Sequence, residues 1–302
     1  MKELFGRNLC SKTGGVAFSL NVFIFFAINL IASIFITALK IPVGSDGYLY
    51  VSYLISPIAM LLSVLVTLNL GKFKIGEIVK VKCHPKYFLI GLLLIFGLMF
   101  SLGWTNSLIT EFFKLFGYVP KSSYLPNVSG FKIIPALLVI AVLPAIFEET
   151  FFRGLILQST QNGAGSIRSV FIVGFCFALY HGSPEQTVYQ FICGCAFALL
   201  AVRSGSLLPT VIIHFINNAF IIIASATGLI DAAGNFTFSQ TAQTVLVILS
   251  AISLIAAIVW LILDKTELKR SEKGGVKCFF IFASIGIAIL SLIWILNLFG
   301  VA

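Results

Sequence analysis

Three charged residues interrupt a long apolar run in the middle of the chain. Glu148, Glu149 and Arg153 lie in PAIFEETFFRGLILQ, which continues an apolar run that starts near Phe131. At the centre of a membrane helix each charge costs roughly 2.5 to 3.5 kcal/mol, so such residues normally mark a functional site. A buried glutamate can supply a general base, a metal ligand or a ligand for a coupling ion. The sequence therefore predicts a polar site on this helix.

The three charges are not equivalent once the segment is helical. Glu149 and Arg153 stand four residues apart, which places them on one helical face and predicts an ion pair. Glu148 lies about 100° around the helix and has no such partner in the sequence. Glu148 is therefore the carboxylate with no partner on its own helix, and an unpaired charge in a membrane helix indicates a functional residue.

Two histidine motifs lie in later apolar runs. His181 ends the sequence FALYH, and a Gly-Ser-Pro break follows it directly. A helix can stop inside a bilayer only where protein or a water-filled cavity satisfies the freed backbone. His214 and Asn218 share one face of HFINN, whereas Asn217 is predicted to point elsewhere. The third histidine, His84, lies in a basic loop and is expected to be solvated.

The same residue types also fit metal chemistry. Two histidines with one glutamate are enough for a catalytic zinc with an open position, so Glu148, His181 and His214 form a candidate zinc site. No HExxH motif accompanies them, and the apolar runs hold no buried Asp that would complete a Ser-His-Asp set. The residues alone leave a metal-free site and a zinc site open.

The elements that carry these residues must be membrane helices. Of 302 residues, 59% are hydrophobic and 10% are charged, and the mean hydropathy is +1.06. These values predict an all-α, polytopic transmembrane helix bundle, with the lipid bilayer as its surroundings. The net charge of +9 comes from basic residues between the apolar runs, where they orient the helices, so nucleic acid is not an expected partner.

About nine helices are expected, two of them short. The apolar runs cover residues 16–39, 49–70, 87–104, 131–159, 167–181, 187–202, 207–228, 243–263 and 278–299. Basic residues concentrate in alternate connections, which predicts that the N-terminus is cytoplasmic and the C-terminus is outside. After the third run, apolar residues recur with helical spacing from Ser107 to Phe116, which is typical of a short interfacial helix.

Helix geometry gives the polar residues a common depth. At about 1.5 Å per residue from the cytoplasmic ends, Glu148 and His214 lie roughly 16 Å deep, and His181 and Asn218 lie roughly 20 to 22 Å deep. The topology follows from the basic connections alone and does not depend on these residues. Their agreement therefore predicts one shared site near the middle of the membrane.

The motifs resemble those of a known family. FEETFFRG, FALYH and HFINN are similar to the EExxxR, FxxxH and HxxxN motifs of the CAAX protease and bacteriocin-processing (CPBP, or Abi) intramembrane proteases, which include the type II CAAX prenyl endopeptidases. The resemblance covers roughly residues 138–219. It implies a glutamate-dependent protease in an α-helical bundle. Members are often named metalloproteases, so the zinc alternative carries over.

The resemblance implies a role for each matching residue. Glu148 and His181 would activate the attacking water, and His214 and Asn218 would stabilise the oxyanion. Amide hydrolysis requires the same division between a base and a donor.

Three further residues would support this set. Glu149 and Arg153 would lie behind the catalytic groups, and Phe177 would orient His181 by packing over it one helical turn away. Glu185, which follows the helix break, is expected to be solvated.

The resemblance also suggests how the chain is organised. Residues 1–130 would hold the first three helices and the outer segment, residues 131–228 the catalytic core, and residues 229–302 the last helices. The expected substrate is a peptide or membrane protein, and three classes stay open: a prenylated peptide, the leader peptide of a secreted peptide and a segment of a membrane protein. The expected location is the bacterial cytoplasmic membrane, as a multi-pass protein.

Two other functions fit a polar cluster inside a membrane. An ion-coupled transporter would also place Glu, His and Asn at mid-bilayer around a broken helix, although paired half-repeats are not evident in the sequence. A non-catalytic membrane scaffold or immunity protein could keep the cluster for folding alone.

Overall fold

The computed structural model describes residues 8–120, 125–231 and 236–300. Within these ranges the regular structure is helical, apart from one antiparallel bridge between Ile230 and Phe236. The helices are α1 (Ser11–Ala38), α2 (Asp46–Gly71), α3 (Lys86–Ser101), α4 (Trp104–Lys114), α5 (Gly130–Ala164), α6 (Ser166–His181), α7 (Thr187–Ser204), α8 (Leu208–Ala226), α9 (Gln240–Leu263) and α10 (Gly275–Leu298).

The nine predicted runs are all helices in this structure, which confirms the all-α membrane bundle. Eight helical segments of the described ranges are long and apolar enough to cross a membrane, with α3 and α4 forming one of them. The ninth run is α6, which has 16 residues. At 1.5 Å per residue it spans only about 24 Å, less than the roughly 30 Å of a bilayer core. The helix carrying His181 is therefore too short to cross a bilayer core, and its end within the membrane stays a prediction.

The basic segments of the chain meet at one end of the bundle. They are joined by hydrogen bonds and one ion pair, so the connections predicted to be cytoplasmic share one face. The links are Asn162 Nδ2 to Leu9 O (2.9 Å), Leu207 N to Lys80 O (2.7 Å), Ser166 N to Lys269 O (3.0 Å) and Lys86 Nζ to Asp264 Oδ2 (2.6 Å).

The side of the membrane that this basic end faces stays a prediction. Two exposed positions, Lys273 and Gln240, lie at opposite ends of the C-terminal pair of helices. In a background without native cysteines, we expect an impermeant thiol reagent to label Lys273→Cys only from the cytoplasm and Gln240→Cys only from outside. Labelling of both from one side would contradict the topology. Lys2, Arg7 and Lys121, which contribute to the charge pattern, lie outside the described residues.

Helix α5 departs from regular α-helical geometry on both sides of its glutamates. The α-helical turns Leu143–Glu149 are flanked by π-helical turns at Leu137–Val142 and Thr150–Ile156. Such wide turns occur frequently at functional sites because they redirect side chains and backbone groups. The second π turn contains Arg153, so the motif EExxxR spans a change of helix type that the sequence did not predict.

Helices α6 and α7 approach closely where two glycines face each other. A Cβ added to Gly194 would lie 2.8 Å from Gly174 Cα, so neither position has room for a larger side chain. Small residues allow this kind of backbone contact between membrane helices. The contact brings Phe177 on α6 and the carbonyl of Gly194 on α7 against the charged part of α5.

The expected short helix after the third run is present as α4. It exposes large apolar side chains on one side, including Trp104, Leu108 and Phe112. The exposed stripe fits an interfacial helix, and its location at the membrane surface stays a prediction.

Candidate active site

The predicted ion pair lies at the base of the site. Arg153 Nη1 donates to Glu149 Oε1 at 2.9 Å, and both side chains are fully buried. The Arg153 guanidinium carbon lies 4.5 Å from the ring centre of Phe177 and 5.3 Å from that of Phe197, and Nη2 donates to Gly194 O at 3.3 Å. Aromatic faces attract a desolvated cation, so the arginine is held by neighbours from two other helices. The predicted Glu149–Arg153 contact is confirmed.

His214 lies between the two adjacent carboxylates. Its Nδ1 is 2.8 Å from Glu149 Oε1, and its Nε2 is 3.9 Å from Glu148 Oε2. An ionised carboxylate only accepts hydrogen bonds, so Nδ1 carries the hydrogen. The side chain of Glu148 is 14% exposed, whereas that of Glu149 is fully buried. The partner of Glu148 is therefore a residue of another helix, which spacing along α5 cannot indicate. Of the two carboxylates, Glu148 is the one that remains partly accessible.

His181 is fixed through one ring nitrogen. Its Nδ1 lies 2.7 Å from the carbonyl oxygen of Phe177, and because a carbonyl only accepts, Nδ1 is the donor. In the neutral ring this leaves Nε2 with a free lone pair. The rings of Phe177 and His181 are 4.5 Å apart between centroids, so the predicted packing contact is present.

One cavity brings the four predicted catalytic residues together. It has a volume of about 110 Å³, which is enough for several water molecules. Its walls come from helices α3, α5, α6, α7 and α8. The lining residues are Ile95, Glu148, Phe177, His181, Tyr189, Gln190, Cys193, Phe197, His214, Asn217 and Asn218.

The sequence interpretation missed one wall of this cavity and misplaced one residue. Tyr189, Cys193 and Phe197 come from α7 at four-residue intervals, and this helical spacing is the signal that could have identified them. Asn217 was predicted to point elsewhere, and that prediction was wrong. Its Nδ2 donates to Asn218 Oδ1 at 3.0 Å, which turns its amide into the cavity.

Asn218 is held by its own two contacts. Its Nδ2 donates to the carbonyl oxygen of Ile140 at 3.1 Å, in the first π-helical turn of α5. Its Oδ1 accepts from Asn217. A primary amide has two N–H hydrogens, so one is left for a ligand in the cavity.

The histidines of this site are arranged as metal ligands often are, which bears on the zinc alternative. In both His181 and His214, Nδ1 is hydrogen-bonded to another group of the protein, which leaves Nε2 as the nitrogen that could bind a metal. This arrangement is typical of histidine metal ligands. However, the part of the chain that the structure describes contains no group of three or more His, Cys, Asp or Glu residues that could hold one ion. This geometry gives the zinc alternative at Glu148, His181 and His214 no support of its own, and the choice between a zinc site and a metal-free site stays a prediction.

Comparison with known proteins identifies this part of the chain. The family described as type II CAAX prenyl endopeptidase Rce1-like matches residues 130–220. The chain carries an Rce1-like domain. With its eight long apolar helical segments in the described ranges, the chain is an integral, multi-pass membrane protein. No curated protein and no solved structure matched the chain.

The Rce1-like segment does not contain the whole cavity wall. Ile95 on α3 lies outside the matched residues, whereas the four predicted catalytic residues lie inside them. His84, outside the segment, is exposed as expected. Glu185 lies inside it and was expected to be solvated, but it is half-buried and accepts a hydrogen bond from Tyr118 at 3.1 Å. A residue from a distant loop covers it, which no local pattern in the sequence indicates.

Proposed function

We propose that the protein is an intramembrane endopeptidase in which Glu148 and His181 activate water. The observation that carries the proposal is the single cavity shared by Glu148, His181, His214 and Asn218, inside a bundle whose surface is apolar. Its substrate is a membrane-associated or lipid-modified peptide, and the family match favours a prenylated one. A leader peptide of a secreted peptide is the second substrate class. The proposed location is the bacterial cytoplasmic membrane.

The cavity side chains divide into a base and a donor. Glu148 takes a proton from water, and the resulting hydroxide attacks the carbonyl carbon of the scissile amide. His181 Nε2 can accept the other hydrogen of that water, because Nδ1 already donates to Phe177 O. When the tetrahedral intermediate collapses, the C–N bond breaks and Glu148 returns its proton to the leaving amine. The products are a carboxylic acid and an amine, which become a carboxylate and an ammonium ion when the acid passes its proton to the amine, so atoms and charge balance.

His214 and Asn218 supply the donors for the oxyanion. His214 donates from Nδ1 to Glu149 and lines the cavity, where Nε2 donates to the oxyanion when it carries a hydrogen, while Asn218 offers its remaining N–H.

Purified protein in liposomes tests the proposal directly. We expect it to cleave a quenched fluorescent peptide that carries a farnesylated C-terminal CAAX sequence, with turnover unchanged after dialysis against a chelator, because no step needs a metal. An enzyme that lost activity and regained it with zinc would overturn the metal-free mechanism. A transporter or a scaffold would cleave neither the prenylated peptide nor a leader peptide.

The donor role of Asn218 has its own test. We expect Asn218→Ala to lower kcat by about 100- to 1000-fold, the usual effect of removing one oxyanion donor, and to leave residual activity because His214 still donates. A matched control is Asn29→Ala, whose side chain bonds Phe25 O within its own helix, α1. If the two variants had equal turnover, Asn218 would not be an oxyanion donor.

A further inference from the structure

The position of His181 depends on the end of helix α6. His181 is the last residue of α6, and Gly182 follows it in the left-handed region at φ +63°. Within its own helix the ring is held by the Nδ1 contact with Phe177 O. Helix ends fray unless their backbone groups are tied down, so the ring position depends on what holds the turn from Gly182 to Gln186.

Helix α10 supplies that restraint on one side. Asn297 Nδ2 donates to the carbonyl oxygen of Gly182 at 2.9 Å, one residue after His181. One turn earlier on α10, Trp294 Nε1 donates to Thr187 Oγ1 at 2.7 Å, and that hydroxyl donates to Ser183 O at 2.9 Å. Both ends of the turn are therefore bonded to the last helix.

Helix α4 and the segment that follows it restrain the same turn from another direction. Tyr118 donates to Glu185 Oε2 at 3.1 Å, and Phe113 packs edge-on against Trp294 with ring centroids 5.7 Å apart. Burial, followed by the neighbouring charge of Glu185, raises the pKa of Tyr118 to about 12. The phenol therefore stays protonated and remains a donor throughout the physiological pH range.

We propose that Asn297 is a positioning residue for His181, acting through its hydrogen bond to the Gly182 carbonyl. The inference rests on the proposed function, and its residue lies on α10, outside the segment that matches the Rce1-like family. The bond fixes the carbonyl at the point where α6 stops, and so fixes the ring that ends the helix. Asn297 lies outside the set of described residues that line the cavity.

Kinetics of Asn297 variants test this role. Asn297→Asp keeps the shape but removes the donor, so we expect kcat to fall about 10- to 100-fold with KM little changed, as for a catalytic group displaced by about 1 Å. Asn297→Gln keeps a donor and should recover part of the rate. Ser284→Ala, an exposed position on the same helix, serves as the control. In a His181→Ala background, Asn297→Asp should have no further effect, because both act through one ring.

Chemical modification provides a readout that does not require turnover. His181 is exposed, as His84 is, but its Nδ1 is held by Phe177 O. We therefore expect diethyl pyrocarbonate to modify His181 at Nδ1 several-fold faster in Asn297→Asp than in the parent protein, with the rate at His84 unchanged. Multiplicative rate losses in the double variant, or unchanged modification of His181, would overturn the positioning role. Absence of cleavage by the parent protein would refute the proposed function instead, and the modification rates would then decide the structural claim alone.

Discussion

Replacing Glu148 by Gln is expected to stop peptide cleavage while the protein still folds. The substitution keeps the size of the side chain but removes the carboxylate that would accept the proton of water, and loss of a general base lowers kcat by roughly 100- to 10,000-fold. Glu148 makes no contact as close as the 2.8 Å bond of Glu149 to His214, and its side chain is partly exposed to the cavity. Removing its charge therefore leaves the buried ion pair intact.

The measurement is turnover of the farnesylated peptide by equal amounts of folded protein, judged by thermal unfolding in detergent. Glu267→Gln makes the same chemical change at an exposed position of the loop between α9 and α10, so it controls for loss of charge alone. His181→Ala and His214→Ala are expected to lose activity within the same range of roughly 100- to 10,000-fold, which leaves a residual rate that can be measured in double variants. Wild-type turnover by Glu148→Gln would show that the proposed mechanism is wrong, whatever the chelator experiment gives.

Arg153→Ala is expected to cause a large loss of stability. It removes the partner of a fully buried carboxylate and empties the space between Phe177 and Phe197. Breaking a buried ion pair from one side costs about 3 to 5 kcal/mol, so we expect low folded yield and a clearly lower unfolding temperature in detergent.

A second variant separates the charge effect from the packing effect. Glu149→Gln combined with Arg153→Met removes both charges and keeps most of the volume, so we expect it to recover much of the lost stability. Arg270→Ala, at an exposed position, should unfold like the parent protein. If Arg153→Ala unfolded at the parent temperature, the ion pair would contribute little to the fold.

Much of the fold could be predicted because a membrane restricts the backbone structures that a chain can form. Long apolar runs must be helices when no water is present to satisfy the backbone, and the nine runs correspond to helices in the structure. The Glu149–Arg153 contact could be predicted for a similar reason, since both residues lie on one helix and a lone buried charge is strongly unfavourable.

The rest of the site could not be predicted because it depends on contacts between helices. The bond from His214 to Glu149 joins residues 65 positions apart, and helical periodicity carries no information about which faces meet. The π-helical turns of α5 shift its side chains away from regular spacing. Asn217 was misplaced for a related reason: the cavity is wide enough to take two neighbouring residues from one helix.

The order of the helices means that Glu149 and Glu148 gain their partners at different times during synthesis. Helix α5 leaves the ribosome with Arg153 already beside Glu149, so that carboxylate can enter the membrane as part of a pair. Glu148 has no partner on its own helix, and His214 follows only with α8. Until α8 inserts, Glu148 must stay in contact with water or with the insertion machinery. If synthesis stops between α7 and α8, Glu148 on α5 should stay accessible to the proteases that remove misfolded membrane proteins. The charge of Glu148 that the proposed reaction needs is also the charge that delays the burial of α5.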